Sequence, residues 1–231
     1  MSVVSLIRHG QASFGHANYD QLSSLGQQQA QHLGQQLGAR GIVFDAVYCG
    51  SMQRHRQTAT TCLAAMALDL PIQIVAGLNE YDHEAVLTAY RPDFADKNSM
   101  RNFLQQQTHP HRAFQQIYAQ AVQQWINSDP SANQYPESWP QFQTRTRQAL
   151  TDLLAHTSQS KHVAVFSSGG PITVIIQQLL DIPDASAFRI NDMMPNASIT
   201  KLLRTHQGLA VSSINEHSAF DGHHANLLTY R

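Results

Sequence analysis

Basic and acidic side chains follow the apolar stretches of this sequence at three separate points. The first apolar run, SVVSLI, stops at Arg8 and His9, Arg54 follows a second run, and Glu80 follows a third. Guanidinium groups bind phosphate oxygens in pairs, and a neutral imidazole can attack phosphorus. A carboxyl group of raised pKa can give a proton to a leaving oxygen. Together these residue types indicate phosphoryl-transfer chemistry, with Arg8 and Arg54 as an anion clamp.

A fourth apolar run, HVAVF, ends in the four residues SSGG, followed by a proline and another apolar run. If a helix begins there, its first main-chain amides point outward and favour an anion. We therefore expect Ser168 and Gly169 to take part in phosphate binding. A serine in a turn can equally serve to satisfy the local backbone, so that alternative stays open for Ser168.

Alternating strands and helices predict the sheet that would bring these residues together. SVVSLI, FDAVYCG and IQIVAGL are predicted strands, with a helix that starts near Ser23 or Ser24 and a second helix over SMQRHRQTATTCLAAMAL between them. This order is typical of a layered α/β fold with a mainly parallel sheet. Ligands of such sheets bind outside the carboxyl ends of the strands. All four polar stretches are expected at that edge.

The alternation breaks between about residues 82 and 140, where helical stretches are separated by proline-bearing loops. We interpret this segment as a helical insertion in a single domain that covers residues 1–231. A helix over about 141–157, the strand HVAVFS, a turn at SGGP and the helix ITVIIQQLL follow. Three further strands near a sheet edge are predicted over ASITKLLRT, LAVSSINE and LLTYR.

Composition excludes several function classes. The formal net charge is -1, the sequence pI is about 6.9, and no block of like charge occurs, so neither nucleic acid nor an acidic membrane is an expected partner. Glutamine-rich stretches are predicted on helix surfaces. The two cysteines, Cys49 and Cys62, are predicted to be small buried hydrophobic residues. No signal peptide or membrane-length apolar run is visible, which predicts a cytoplasmic protein.

Several motifs in this order resemble those of the histidine phosphatase superfamily, the phosphoglycerate-mutase-like group. RHG ends the first predicted strand, RHRQTA lies on the second helix, LNE follows the third strand, and SGG follows the strand HVAVFS. LSSLGQQQA and MPNASITKL also resemble segments of that family. The resemblance covers nearly the whole chain except the helical insertion. It implies a three-layer α/β/α sandwich, no metal and no cofactor.

The resemblance also implies roles for individual residues. His9 would be the nucleophile that forms a phosphohistidine, and Arg8 and Arg54 would bind the phosphoryl group. Glu80 would donate a proton to the leaving group and later accept one from the attacking water. Asp82 and Glu84 lie close by in the sequence and compete with Glu80 for that role, but neither belongs to LNE.

The sequence departs from the family pattern at two positions. Ser168 stands where the family usually has a second histidine that contacts the phosphoryl group, and Gln11 stands where glutamate is frequent. Both Ser168 and Gln11 are retained as predicted phosphate-binding residues. Candidates for a replacement of the missing imidazole are His55, His217 and His224, whereas His162 precedes its strand and is expected to point elsewhere.

The leading functional hypothesis is a phosphatase that hydrolyses a phosphate monoester through His9. Phosphoglycerate mutase-type transfer is the second hypothesis, and no dense cluster of basic residues in the insertion supports it. A catalytically weak phosphate-binding module is the third, because Ser168 removes a potential cation from the pocket. The expected partner is a small phosphorylated substrate or a phosphoprotein, and the oligomeric state, a dimer included, is left open.

Overall fold

One mixed sheet forms the centre of the protein, which a computed structural model describes at residues 2–13 and 19–230. Its strands are β1 Ser2–Arg8, β2 Ala46–Cys49, β3 Ile72–Ile74, β4 His162–Ser167, β5 Ile199–Thr205 and β6 Gly208–Glu216. The spatial order is β3-β2-β4-β1-β5-β6. Strands β3, β2, β4 and β1 pair in parallel, whereas β5 pairs antiparallel with β1 and with β6. The predicted α/β fold with a mainly parallel sheet is confirmed.

Eight α-helices lie in the described part of the chain. They are α1 Ser24–Ala39, α2 Gln53–Ala65, α3 His83–Tyr90, α4 Lys97–Gln105, α5 Pro110–Asn127, α6 Trp139–His156, α7 Gly169–Leu179 and α8 Asp184–Asp192. The start of α1 is fixed by Ser23, whose hydroxyl accepts a hydrogen bond from the Gly26 amide at 3.0 Å. Gly41 follows the helix with a φ of +67°, the left-handed conformation that ends many helices.

The chain divides into two compact units. The first contains Met1–Glu80 and Arg145–Arg231, and therefore the whole sheet, and the second contains Tyr81–Thr144. Within the second unit, Tyr81 packs against Trp125 with ring centroids 4.7 Å apart, and the Trp125 indole donates to the Glu137 carbonyl at 2.8 Å. The organisation as a single domain with an insertion over about 82–140 stays a prediction.

Apolar side chains cover both faces of the sheet. In β4, Val163 and Val165 point into one buried cluster, and Ala164 and Phe166 point into another. Strands that are buried on both faces have nearly continuous apolar sequences, which explains why SVVSLI and HVAVFS were recognisable. Cys49 and Cys62 are free and buried, and burial raises the pKa of the Cys49 thiol to about 11 and that of Cys62 to about 12. Their predicted role as small buried side chains is confirmed.

The third strand is shorter than the sequence predicts. β3 stops at Ile74, and Ala76–Leu78 forms a 3-10 helix. The chain turns inward here because Gly77 lies against Ala149 of α6, so closely that a Cβ at Gly77 would come within 2.6 Å of the alanine methyl. Leu78 is fully buried as a result. The loop that carries Glu80 therefore leaves a helical turn and not a strand end.

The segment SGGP is the first turn of α7, so its prediction as a separate turn was wrong. Ser168 is the N-cap residue, and Gly169, Gly170 and Pro171 are the first three helical residues. Glycine and proline are turn formers in general, but the first turn of a helix tolerates proline because its amides have no partner inside the helix.

Two further predictions need correction, and one helix was missed. The described residues 227–230 of LLTYR form no strand, and Arg231 lies outside the described residues. Leu227 ends a 3-10 helix, and Thr229 bonds to Asn196 through its carbonyl at 2.8 Å and its hydroxyl at 2.9 Å. Gln29 is not on a helix surface but fully buried, where its Nε2 donates to the Leu227 carbonyl at 2.6 Å. Helix α8 was not predicted.

Candidate active site

His9 lies just beyond the carboxyl end of β1, and its main chain is held on both sides. Its amide donates to the Ser167 carbonyl at 2.9 Å, and its carbonyl accepts from the Ala197 amide at 3.2 Å and from Asn196 Nδ2 at 3.3 Å. The side chain is 7% exposed. Nδ1 lies 2.6 Å from the Gly10 carbonyl, which can only accept, so Nδ1 carries the proton. The lone pair of His9 is therefore on Nε2.

The loop after His9 packs directly against the start of α1. A Cβ on Gly10 would overlap the Gly26 carbonyl, and a Cβ on Gly26 would overlap the Gln11 carbonyl. The Gly10 amide also donates to the Thr58 hydroxyl of α2 at 3.0 Å. These contacts fix the main chain that carries His9, and they explain why glycine is required at both positions.

Arg54, from the first turn of α2, brings its guanidinium to Nε2 of His9, the nitrogen that carries the lone pair. Its Nε donates to His9 Nε2 at 3.2 Å, and its Nη1 forms a 2.6 Å ion pair with Asp20. The Arg54 residue is only 4% exposed. Because the guanidinium is buried, its ion pair with Asp20 is not an ordinary surface salt bridge. Arg54 and His9 lie together as predicted.

Burial and positive neighbours keep His9 neutral. Removal from water lowers the pKa of His9 well below its ordinary value, and the charges of Arg54 and Arg8 lower it further. The hydrogen bond to Gly10 acts in the opposite direction but is the smallest contribution. At neutral pH, His9 therefore presents an unprotonated Nε2, which is the form that can attack phosphorus.

Arg8 ends β1 and reaches two main-chain carbonyls. Its Nη1 donates to Met194 and, at 3.2 Å, to Tyr230. Its Nε lies beside the start of α7, since a Cβ placed on Gly169 would be 3.9 Å from it. The carbonyl contacts hold the guanidinium next to the helix N-terminus that the sequence predicted as part of the anion site.

Glu80 contacts the same helix start. Its Oε2 accepts a hydrogen bond from the Gly170 amide at 3.1 Å. The preceding loop is fixed by Arg145, whose Nη1 donates to the carbonyls of Gly77 at 2.9 Å and Asn79 at 3.1 Å. Asp82, one of the two competing carboxylates, instead accepts from the Ala85 amide as the N-cap of α3. A Cβ on Gly169 would overlap the Asn191 carboxamide, so a side chain there would require Asn191 to move.

Ser168 is bonded to a histidine, and not to the backbone. Its hydroxyl lies 2.6 Å from His55 Nε2, and both residues are 0% exposed. The rings of His55 and His9 have centroids 5.7 Å apart. Burial, followed by the charge of Arg54, lowers the pKa of His55 well below its ordinary value. Of the three candidates for the missing imidazole, His55 is the one beside Ser168.

The other singled-out histidines and Gln11 have different contacts. His217 Nδ1 lies 2.6 Å from the Asn215 carbonyl, and His224 packs on His32 with centroids 4.0 Å apart. His162 bonds to Ser5 at 2.8 Å, at the amino end of β4 as expected. Gln11 accepts from the Ser23 hydroxyl at 2.9 Å, so its side chain meets the cap of α1. Phosphate binding by Gln11 stays a prediction.

Two kinds of feature, a membrane-spanning helix and a cluster of metal-binding side chains, are absent from the described residues. No helix in residues 2–13 and 19–230 is long and apolar enough to cross a membrane. The same residues contain no group of three or more histidine, cysteine, aspartate or glutamate side chains that could hold a metal ion.

Comparison with known families decides the classification. The sequence profile of the histidine phosphatase superfamily (branch 1) matches residues 4–113 and 99–217. The chain belongs to this superfamily. The family that the motifs indicated is thereby confirmed.

This superfamily member is similar to several phosphatases. It is 29% identical over 188 residues to the adenosylcobalamin/alpha-ribazole phosphatase of Escherichia coli, a match of 77% of this chain and 79% of the relative. Its fold is similar to that of a phosphoserine phosphatase from Entamoeba histolytica crystallised with phosphoserine, with a TM-score of 0.67, 18% identity and coverage of 95% and 99%. A Bacillus anthracis phosphoglycerate mutase has a TM-score of 0.65 at 19% identity, with 94% of each chain covered.

Sequence reasoning missed three contributors to the site of this superfamily member. Asp20 binds Arg54, Asn191 packs on Gly169, and the carbonyl of Tyr230 accepts from Arg8. Asp20 lies two positions before the LSSLGQQQA motif, which was the only available signal. Asn191 lies on α8, a helix that was not predicted. Tyr230 lies in LLTYR, which was wrongly predicted to be a strand.

Proposed function

We propose that this protein hydrolyses phosphate monoesters through a phosphohistidine on His9. The observation that carries the proposal is the 3.2 Å contact between Arg54 Nε and His9 Nε2. It places a permanent positive charge beside the lone pair of a neutral imidazole. An anionic phosphoryl group drawn to that charge would arrive in front of the attacking atom.

The first half-reaction would transfer the phosphoryl group to His9. The Nε2–P bond forms while the bond from phosphorus to the ester oxygen breaks. The carboxylic acid of Glu80 gives its proton to that oxygen, so the alcohol leaves neutral and Glu80 becomes a carboxylate. Nδ1 keeps its proton and its hydrogen bond to Gly10, which orients the ring throughout.

The second half-reaction would return the enzyme to its starting state. Water attacks phosphorus as the N–P bond breaks, and the Glu80 carboxylate takes the proton of that water. Inorganic phosphate is released, and His9 and Glu80 regain their first protonation states. Arg54 and Arg8 stabilise the equatorial oxygens in both steps, because the charge on these oxygens is concentrated in the transition state.

Small phosphorylated molecules are the proposed substrate class, with a phosphoprotein as the alternative. The proposal is supported by the Escherichia coli relative, an adenosylcobalamin/alpha-ribazole phosphatase, which aligns with 77% of this chain at 29% identity. A panel of phosphorylated metabolites and a phosphopeptide, assayed for phosphate release, separates the two classes. Assays of 2- and 3-phosphoglycerate interconversion with a bisphosphoglycerate primer test for mutase transfer.

The decisive experiment compares the wild type with His9→Ala on p-nitrophenyl phosphate. We expect His9→Ala to lower kcat by at least about 10³-fold, since the covalent intermediate cannot form. Rapid quenching with radiolabelled substrate should trap an acid-labile phosphoenzyme in the wild type only. The matched control is His162→Ala, which also removes a histidine bonded to a serine. Equal turnover by the wild type and His9→Ala would show that His9 is not the nucleophile.

The pH profile provides an independent check on the state of His9. Because the pKa of His9 is lowered in the folded protein, Nε2 stays unprotonated below the ordinary histidine pKa of about 6.5. The value of kcat/KM, which reports the free enzyme, should therefore not fall as the pH is lowered from 7.5 through 6.5. A fall centred near 6.5 that persists in His55→Gln and in His162→Ala would contradict a neutral, buried His9.

A further inference from the structure

The hydroxyl of Ser168 does not cap α7, although Ser168 is the N-cap residue of that helix. Serine at a helix N-cap normally accepts a hydrogen bond from the second or third amide of the helix. In α7 the second amide, of Gly170, donates to Glu80 at 3.1 Å, and the third residue is Pro171, which has no amide hydrogen. Ser168 makes no capping bond. Its side chain is therefore available for another purpose.

That hydroxyl is instead bonded to His55, which approaches from α2. The Oγ–Nε2 distance is 2.6 Å, and both residues are completely buried. Ser168 and His55 are 113 residues apart in the sequence. His55 follows Arg54 directly, so the same turn of α2 supplies both the guanidinium beside His9 and the imidazole behind Ser168.

The surroundings of His55 favour one tautomer. Its Nδ1 faces the main chain of Gly50, where a Cβ would overlap it, and it has no hydrogen-bond partner among residues 2–13 and 19–230. A buried N–H without an acceptor is rarer than an acceptor without a donor. The proton is therefore better placed on Nε2, which then donates to Ser168 Oγ. In that arrangement the Ser168 hydroxyl must direct its own hydrogen elsewhere.

Ser168 lies at the same end of the sheet as His9. The Ser167 carbonyl, one residue before, accepts from the His9 amide at 2.9 Å, and the His55 ring is 5.7 Å from the His9 ring. Gly169, one residue after, lies beside the Arg8 guanidinium. The hydroxyl therefore lies at the edge of the sheet where the proposed function puts the transferring phosphoryl group.

We propose that Ser168 donates a hydrogen bond to the transferring phosphoryl group and that His55 is the positioning residue that orients this hydroxyl. No proton is transferred along these two hydrogen bonds, which run from His55 Nε2–H to Ser168 Oγ and from Ser168 Oγ–H to a phosphoryl oxygen. It aims one neutral donor at the developing charge. This inference rests on the proposed function, because it requires a phosphoryl group at His9.

The experiment is a double-mutant cycle on p-nitrophenyl phosphate with Ser168→Ala, His55→Ala and the double variant. We expect each single variant to lower kcat by about 10- to 100-fold, with KM changed by less than about 3-fold, because the donor acts mainly in the transition state. The double variant should be no slower than the slower single variant, since both changes remove the same hydrogen bond. Vanadate, a transition-state analogue, should bind more weakly by a similar factor.

A conservative variant separates orientation from simple packing. His55→Gln keeps an amide N–H that can donate to Ser168, so we expect this single variant to retain at least about one third of wild-type kcat. When Ser168→Ala is also present, the glutamine should give no increase in kcat over Ser168→Ala alone. Ser168→Ala removes a single oxygen and keeps the test decisive if His55→Ala does not fold. Ser5→Ala and His162→Ala, which break a pair of the same type at the amino end of β4, should leave kcat unchanged.

The outcomes are distinguishable. If the wild type shows His9-dependent turnover while Ser168→Ala and His55→Ala keep kcat within twofold, the proposed pair is wrong and the proposed function stands. If the losses of the single variants multiply in the double variant, His55 does not act through Ser168, and the inference is also overturned. If the wild type shows no His9-dependent turnover, the proposed function itself fails.

Discussion

The parallel strands of the central sheet have their amino ends on one side, here called the amino edge, and their carboxyl ends on the other, the carboxyl edge. Both edges contain the same types of polar residue, arranged differently. At the amino edge, Asp45 accepts from the amides of Lys161 and His162 at 2.8 and 2.7 Å. Arg204 donates to the carbonyls of Thr157 and Leu154 at 2.8 and 3.1 Å. Each of these charged groups ties one loop to the sheet through its backbone.

At the carboxyl edge the corresponding groups converge on one imidazole. Arg54 bonds to Nε2 of His9, Asp20 pairs with Arg54, and the ring of His55 lies 5.7 Å from that of His9. The difference teaches that residue type alone does not mark a site. What distinguishes this edge is that a buried guanidinium donates to Nε2 of a buried imidazole and that a second buried imidazole lies nearby. Burying such groups together is costly, and groups of this kind cluster at binding sites.

The largest contrast between the edges should come from their arginines. Arg54→Met removes the guanidinium beside His9, the proposed nucleophile, and we expect kcat/KM for p-nitrophenyl phosphate to fall by at least about 10³-fold. Arg204→Met removes bonds to two carbonyls and to the Thr157 hydroxyl, all far from His9, so we expect kcat/KM within twofold of the wild type and a loss of about 1–3 kcal/mol in the free energy of unfolding. Steady-state kinetics and urea unfolding measure the two effects. A similar loss of activity in both variants would abolish the contrast.

The histidines should differ in how they make stability depend on pH. Burial lowers the pKa of both His55 and His162; at His162 the charge of Lys201 lowers the pKa further, and the charge of Asp45 raises it by a smaller amount. Below about pH 6.5 the unfolded chain binds protons that the folded protein does not, so the free energy of unfolding falls as the pH falls. One such proton corresponds to a slope of about 1.4 kcal/mol per pH unit.

Removing these histidines should therefore flatten the acid side of the stability profile unequally. We expect His55→Gln to reduce the slope between pH 6.5 and 5 by more than His162→Gln does, because His55 is fully buried whereas His162 is only partly buried. Urea unfolding at several pH values measures both slopes. The exposed His206, changed to glutamine, is the control. A slope unaltered in His55→Gln would mean that its imidazole is not held neutral.

The smallest effect is expected for the two aspartates. Asp20 lies 2.6 Å from Arg54 and competes with any anion for that guanidinium. We expect Asp20→Asn to strengthen inhibition by inorganic phosphate by about 2- to 5-fold, the scale of a partly exposed ion pair. Asp45→Asn at the amino edge should leave inhibition by phosphate unchanged. Weaker inhibition in Asp20→Asn would mean that Asp20 orients Arg54 for the anion and does not compete with it.

The parts of the fold that depend on local pattern could be predicted from the sequence. β1 and β4 are continuous apolar runs, and Ser23 is a recognisable helix cap, so their positions followed directly. The end of β3 could not be predicted, because Gly77 turns the chain against Ala149 on a helix 72 residues further along. Gln29 was misjudged for the same reason: its partners are at Leu227 and Thr229.

The site was predictable to a similar extent. Motif order indicated His9, Arg8, Arg54, Glu80 and the start of α7, since each follows a strand or begins a helix. The bond between Ser168 and His55 could not be predicted, because nothing in either local segment specifies a partner 113 residues away. The sequence suggested three histidines for this place, and only the packing of α2 against the end of β4 distinguishes among them.

The backbone contact between Gly10 and Gly26 restricts how this protein can evolve. Each glycine leaves no room for a methyl group because the main chain opposite already fills the space. A side chain at either position would require the other segment to retreat, and a compensating change cannot make a glycine smaller. In a library of random variants these two sites should therefore accept almost no substitution, while the surface of the neighbouring helix varies freely.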